Sequence, residues 1–153
     1  MKEHEASAAR ADTGKIKMLI DELVWFKTLE SIEFSGGGES TLHPDFCDIA
    51  RHVKEKGIAV GVLTNGTILD RAYLERAGCP ITAFSYIRTS LDYSNPKSYL
   101  EGKGADLFER VVDNMKSLIE ARGIELRPRL GFKFLLNTKN IIEMAEMVAL
   151  SES

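Results

Sequence analysis

Apolar residues return along this chain in two alternating rhythms. Ile16, Leu19, Ile20, Leu23, Val24 and Phe26 recur at the spacing that gives a helix one apolar stripe, which predicts a helix over 16–29. The stretch "SIEFS", 31–35, then reads as a short strand. "HPDFCDIARHVKEKG", 43–57, is helical again, with Phe46, Ile49, Ala50 and Val53 as its buried stripe. Pro44 suits its first turn, Asp45 its N-terminal dipole, and Gly57 its stop. "IAVGVLT", 58–64, is almost continuously apolar and β-branched, as a strand covered on both faces should be. A short helix, "LDRAYLERAG", ends at Gly78, and "ITAFSYI", 81–87, is the next strand. A long polar loop is expected from Arg88 to Gly104. A helix over about Ala105 to Arg122 presents Phe108, Val111, Val112, Met115, Leu118 and Ile119 on one side. "RLGFKFLL", 129–136, is a further strand, and a last helix begins at Ile141.

The pattern is one helix and then about four strand–helix units. Such alternation predicts an α/β fold with parallel strands and right-handed crossovers. Residues 1–15 form a polar, Ala-rich tail, and 16–153 the α/β core. Function in such folds gathers at the carboxyl ends of the strands. Composition narrows the classes further. The chain has 153 residues, enough for one domain, and a formal net charge of −3 with both signs interspersed. A broad nucleic-acid surface is not indicated, and no apolar run approaches the roughly 18 residues of a membrane span. The N-terminus lacks a secretory pattern. Cys47 and Cys79 lie far apart in sequence and form no CxxC pair, so they read as two reduced thiols of a cytoplasmic protein.

Four strand ends carry the candidate chemistry. Gly36, Gly37 and Gly38 can take positive φ and let a ligand touch bare backbone. Glycine runs often hold phosphate, but phosphate loops carry a lysine or open a helix, whereas Glu39 follows here. A carboxylate repels phosphate and attracts ammonium, so the loop suits a small amine-bearing molecule, or else is a tight turn with a solvated acid. Thr64 and Asn65 close a strand at an Asn-Gly turn. In "RTSLD", Arg88, Ser90 and Asp92 alternate past a strand, and in extended chain they share a side. Leu136 and Asn137 end the last strand. His43 precedes a proline at a helix start and reads as a local structural residue. His4 and His52 have no partner at metal spacing.

The order of these pieces resembles the radical S-adenosylmethionine (radical SAM) family. "IEFSGGGESTLHPDF" is similar to its GGE motif, with Ser40 where proline is usual. "GVLTNGTIL", "SLD" and "LGFKFLLNTKNI" resemble the ends of its next three strands. The resemblance implies a slice of a partial (β/α)6 TIM-like barrel. It also implies S-adenosylmethionine on an open iron of a 4Fe–4S cluster, and a 5′-deoxyadenosyl radical for hydrogen abstraction. Gly36 to Gly38 and Glu39 would engage the methionine amine. Ser90 would face its carboxylate or ribose, with Thr64, Asn65, Arg88 and Asp92 nearby. Leu136 and Asn137 would flank the adenine.

The sequence departs from the family in one respect. That cluster is held by three cysteines in CxxxCxxC after the first strand, and neither Cys47 nor Cys79 occupies such a position. The expectation is a fragment or truncated form of a radical SAM enzyme, inactive alone, with strands two to five of six. Its alternatives are a cluster-less domain that binds a small amine or a protein partner, and an unrelated flavodoxin-like or Rossmann-like domain. Strand order separates the last from the others, since an open Rossmann sheet reverses order and a barrel slice does not. Two open sheet edges would favour a homo-oligomer.

Overall fold

The computed structural model describes residues 10–152. The tail assigned to 1–15 falls mostly outside them. Six α-helices and four strands alternate within the described chain. Helix α1 spans Thr13–Val24, α2 Phe46–Glu55, α3 Arg71–Arg76, α4 Pro96–Lys103, α5 Phe108–Arg122 and α6 Met144–Glu152. The strands are β1 Ser31–Phe34, β2 Ala59–Thr64, β3 Tyr86–Ser90 and β4 Arg129–Lys133. They form one parallel sheet in the order β1-β2-β3-β4. Order follows sequence with no reversal, so the sheet is a barrel slice and not a Rossmann-like sheet.

The pleat sorts the two faces. Val60, Val62, Ile87 and Thr89 are buried under the helices; Ile32, Phe34 and Leu130 pack against the core around Val60, Val62 and Ile87, and Phe132 against a second cluster around Leu91 and Phe108. The alternate residues, among them Glu33, Gly61, Tyr86, Arg88, Gly131 and Lys133, take the opposite face. Helix α2 closes the first side with the stripe read from its sequence: Phe46, Ile49, Ala50 and Val53 are all buried. Phe46 meets Phe34 edge-on at 5.6 Å and stacks on Phe84 at 6.0 Å. Burying a side chain of this size contributes about 1.5–3 kcal/mol. Gly57, at φ 78°, ends α2 as the sequence suggests.

Several boundaries differ from the sequence reading. Helix α1 stops at Val24, and of its apolar residues only Ile20 is buried; Leu19 is 55% exposed. Asp12 caps it through the Lys15 N–H at 2.9 Å, so it begins before Ile16. The strand expected at 81–87 starts late. Pro80 leads into a 3-10 turn over Ile81–Ala83, in which Ala83 and Phe84 donate to Pro80 and Ile81. Pairing with β2 then runs Gly61–Tyr86 to Thr64–Thr89, which puts Arg88 and Ser90 inside β3. The polar loop expected at 88–104 holds α4. Asn95 caps that helix through Ser98 N–H at 3.1 Å, Pro96 opens it, and Gly104 at φ 72° ends it. Its one buried residue, Tyr99, left no apolar stripe to read. Strand β4 ends at Lys133, three residues early, and a 3-10 turn over Ile141–Glu143 precedes α6. Ile119 is half-exposed on α5. Among the described residues no helix is long and apolar enough to cross a membrane.

Candidate functional site

A cradle at the tips of β1 and β2

The chain leaves β1 through Ser35 and crosses the sheet tip as Gly36–Gly38. Gly36 has φ 148°, which favours glycine; Gly37 and Gly38 do not have positive φ. Of the three glycines expected to be able to take positive φ, Gly36 alone does so. A Cβ added at any of the three would meet nothing within 4 Å. Their N–H and C=O groups have no hydrogen-bond partner among the described residues. Neither packing nor backbone strain inside the protein requires glycine at 37 and 38.

Glu39 turns back over the tip of β2. Its Oε1 accepts from Thr41 N–H at 3.2 Å, the Thr41 hydroxyl at 2.7 Å and the Thr64 hydroxyl at 2.9 Å. Its Oε2 accepts one bond, from Asn65 N–H at 2.7 Å. A carboxylate offers about four acceptor sites over two oxygens, so Oε2 retains capacity for a further donor. Glu39 thus latches the glycine loop to β2 while keeping an acceptor for a ligand. Thr64 is buried and also accepts from Gly66 N–H at 3.1 Å. The Asn65 side chain is committed to its own turn, accepting from Thr67 N–H and hydroxyl at 2.9 and 2.7 Å. From α5, Asn114 donates to Gly66 C=O at 2.7 Å and fixes that turn.

A cavity of about 160 Å³ opens here, lined by Gly36, Gly38, Glu39, Leu63, Thr64, Asn65 and Ser90. Gly37 lines the adjoining recess on the outer side of the loop, beside His43. The structure thus brings Gly36, Gly38, Glu39, Thr64, Asn65 and Ser90 together. It places the remaining candidates elsewhere. Arg88 lies mid-strand on the open face, 4.9 Å over the Tyr86 ring. Asp92 accepts from Lys103 and from Leu135 N–H, at 2.9 Å for the latter. Leu136 and Asn137 lie past β4, two strands from β2. Asn137 N–H donates to the Asn140 side chain at 2.7 Å.

Sequence reasoning missed Leu63, Thr41 and Tyr73. The Tyr73 hydroxyl donates to Thr41 C=O at 3.0 Å and braces the latch from α3. It also missed Asn140, fully buried, whose side-chain amide donates to Asp92 C=O and Leu135 C=O, both at 2.8 Å. His43 has the local role expected of it. Its Nδ1 accepts from Asp45 N–H at 3.2 Å, which leaves Nε2 to donate to Ala11 C=O at 2.9 Å.

The two cysteines, remote in sequence, meet in the core. Both are free and buried, and the Cys79 thiol donates to Pro80 C=O at 3.9 Å. The neighbouring Cys47 thiol, and burial after it, push the Cys79 thiol up. Burial likewise pushes the neighbouring Tyr73 hydroxyl up, with the Cys47 thiol adding to it. Among the described residues no group of three or more His, Cys, Asp or Glu is placed to hold a metal ion. These residues do not fit a 4Fe–4S cluster.

The fold and site define a class: a parallel barrel slice with a glycine–acid cradle at its strand tips. The family model described as the Radical SAM superfamily matches residues 8–150. The chain belongs to the radical SAM superfamily. It is 28% identical over 134 residues to a tungsten-containing aldehyde ferredoxin oxidoreductase cofactor-modifying protein of Pyrococcus furiosus, covering 84% of this chain and 36% of that one. It is 32% identical over 120 residues to a probable GTP 3′,8-cyclase of Saccharolobus islandicus, covering 76% and 36%. It is 32% identical over 143 residues to an Fe-coproporphyrin III synthase of Methanosarcina barkeri, covering 92% and 33%. A crystal structure of archaeal TYW1 shares the fold, with TM-score 0.58 at 16% identity, covering 97% of this chain and 56% of that one. The chain thus spans about a third of the length of these curated relatives.

Proposed function

We propose that this chain holds the amino-acid end of S-adenosylmethionine for a radical SAM enzyme. One observation carries the reading: three glycines with unpartnered peptide groups beside a carboxylate with a spare acceptor. An ammonium brings three donors. The Glu39 Oε2 and the carbonyls of the glycine loop can accept them, and a Cβ at Gly38 would fill the space the ligand needs. Ser90, on the same cavity, offers a hydroxyl to the carboxylate or ribose. In the family that cofactor supplies a 5′-deoxyadenosyl radical for hydrogen abstraction from substrate. The residues of this chain orient its amine, keep Glu39 from swinging away through Thr41 and Thr64, and exclude phosphate by charge.

The reading stops short of the cluster. Three thiolates are required, and the two thiols here are buried in the core on the helix side of the sheet. The chain alone is therefore proposed not to cleave the cofactor; the oxidoreductase chemistry belongs to an intact enzyme of the cytoplasm. The same cradle with no cluster beside it carries a second reading, a cluster-less binder of a small amine-bearing molecule.

Calorimetric titration tests both. S-Adenosylmethionine and S-adenosylhomocysteine should bind, and methylthioadenosine, which lacks the amino-acid end, should bind at least about tenfold more weakly. Loss of even one charged hydrogen bond accounts for that factor. Methylthioadenosine binding as tightly as S-adenosylmethionine would place the cofactor elsewhere. Free methionine binding as tightly as S-adenosylmethionine would favour the second reading.

A further inference from the structure

The end of the sheet opposite the cradle is built from the segments that lead into the strands: 25–30 into β1, 54–58 into β2, 76–85 into β3 and 122–128 into β4. Four of the five most exposed large apolar side chains among the described residues lie there: Ile124 is 100% exposed, Leu126 89%, Trp25 87% and Phe26 67%. None of the four belongs to a core cluster. Trp25 and Phe26 precede β1, and Ile124 and Leu126 precede β4, so the two pairs flank the row of strands, about 14 Å apart at three strand spacings. Hydrogen-bonded turns fix both loops. Phe26 N–H donates to Leu23 C=O at 3.0 Å and Leu29 N–H to Phe26 C=O at 2.9 Å; Gly123 N–H donates to Ile119 C=O at 3.0 Å and Glu125 N–H to Arg122 C=O at 3.3 Å. Scattered single apolar side chains are ordinary on a surface, but paired ones on ordered turns at both sides of one face are not.

The charge at this end reverses that of the chain. Overall, 20 Lys and Arg stand against 23 Asp and Glu. These four segments carry six cations, Lys27, Lys54, Lys56, Arg76, Arg122 and Arg127, against three acids, Glu30, Glu55 and Glu125. Lys56 pairs with Asp21 at 2.7 Å, and the other five make no ion pair among the described residues. Helix C-termini favour cations, which accounts for Lys54, Arg76 and Arg122 in the last turns of α2, α3 and α5. It does not account for Lys27 and Arg127, which lie in the loops beside the exposed apolar pairs. The placement selects the occupant. A protein partner is met by an apolar centre inside a polar rim. Here the order is inverted: the apolar pairs stand at the two sides, and Lys54 and Arg76 lie between them on the elements that lead into β2 and β3. Separate apolar anchors with cations between them suit an anionic bilayer, whose headgroup layer takes in a tryptophan ring and whose surface attracts Lys and Arg.

We propose that this end of the sheet docks on an anionic membrane surface. Trp25, Phe26, Ile124 and Leu126 enter the headgroup layer, and Lys27, Lys54, Arg76 and Arg127 meet the lipid phosphates. Peripheral contact of this kind uses exposed apolar area and charge together and needs no spanning helix. It leaves the cradle, at the opposite tips of the strands, turned away from the bilayer. The inference stands independently of what the cradle binds.

The chain has one tryptophan, and it lies on this face, so Trp25 fluorescence reports the contact directly. The test is titration with vesicles of phosphatidylglycerol and phosphatidylcholine in equal parts, and with vesicles of phosphatidylcholine alone, read by that fluorescence and by co-sedimentation. With the anionic vesicles the emission should move to shorter wavelength and the chain should sediment; added salt should reverse both, since surface charge is screened. Ile124→Ser and Leu126→Ser should keep the melting temperature, the side chains being exposed, and each lower the partition coefficient about tenfold, the loss of one inserted aliphatic side chain. Arg127→Gln should lower it about fivefold, the attraction of one cation to an anionic surface. Ile142→Ser removes an apolar side chain that is 84% exposed but lies past β4 at the other end of the sheet, and should not change it. No sedimentation with anionic vesicles, equal binding to phosphatidylcholine alone, or an Ile142→Ser loss as large as that of Ile124→Ser would each overturn the proposal. A Trp25 shift that needs no vesicles and grows with the concentration of the chain would give this face to a second copy and overturn it as well.

Discussion

Removing the Glu39 carboxylate tests the latch. In Glu39→Ala four donors lose their acceptor. They do not suffer equally. The Asn65 N–H is exposed, and water replaces the lost oxygen. The hydroxyls of Thr41 and Thr64 sit on residues that are 3% and 2% exposed, and water reaches them poorly. Each orphaned buried group costs about 1–3 kcal/mol, so the change should destabilise the chain by about 3 kcal/mol. For a chain of this length that lowers the melting temperature by roughly 6–12 °C. Glu39→Gln is the informative partner. Its carbonyl oxygen can keep the three bonds made to Oε1, but its amide N–H groups then face the Asn65 N–H. It should cost about 1–2 kcal/mol, the loss of one bond. Urea unfolding of the three proteins measures both values. A Glu39→Ala chain as stable as the parent, or a Glu39→Gln chain less stable than Glu39→Ala, would refute the latch geometry.

Gly66→Ala should cost about 3 kcal/mol by the same assay. Its φ of 75° is unfavourable for alanine, and the new Cβ would fall 2.4 Å from Thr89 Cγ2, a buried side chain that cannot move aside; unchanged stability would contradict that packing. Gly38→Val should leave unfolding within about 1 kcal/mol of the parent, since φ is ordinary and space is open, while S-adenosylmethionine affinity drops; a large loss of stability would show that the loop is packed after all. Burial pushes the Glu143 carboxyl up, but the Ser94 N–H and the Ser94 and Ser98 hydroxyls outweigh it and hold it below its ordinary 4.5. Its folded form favours the charge, so its contribution is complete above pH 4.5 and is lost as pH falls through the lowered value. Glu143→Gln should flatten that part of the stability profile, and an unaltered profile would argue against the contacts. The edges of β1 and β4 are unpaired among the described residues, so light scattering after size exclusion should give a mass above 17.0 kDa at high concentration; a monodisperse monomer would contradict edge pairing.

The strands and helices with strong periodicity were legible. The α2 stripe reads directly from Phe46, Ile49, Ala50 and Val53, and the parallel order follows from alternation. Helix α4 was hidden because it buries only Tyr99, although its cap signals, Asn95, Pro96 and Gly104, stand in the sequence. The slip at β3 came from Pro80, whose turn takes Ile81, Thr82 and Ala83 out of the strand. At the site, Gly36, Glu39, Thr64 and Ser90 were readable as strand ends, and the fold gathers them. What could not be read was how Glu39 is used. Its bonds to Thr64 and Asn65 span about a strand–helix unit and depend on tertiary register. The burial of Cys47 of α2 and Cys79, past the end of α3, in one core cluster is likewise a product of packing, with no signature in their spacing.

The central claim is that bare main chain and one acid accept the ammonium of a sulfonium cofactor. Amide-resolved NMR during addition of S-adenosylmethionine to the chain tests it most directly. The account predicts saturable shifts at Gly36, Gly37, Gly38 and Asn65, with little change along α5. Shifts confined to the helix side of β4, with the glycine amides unmoved, would contradict it.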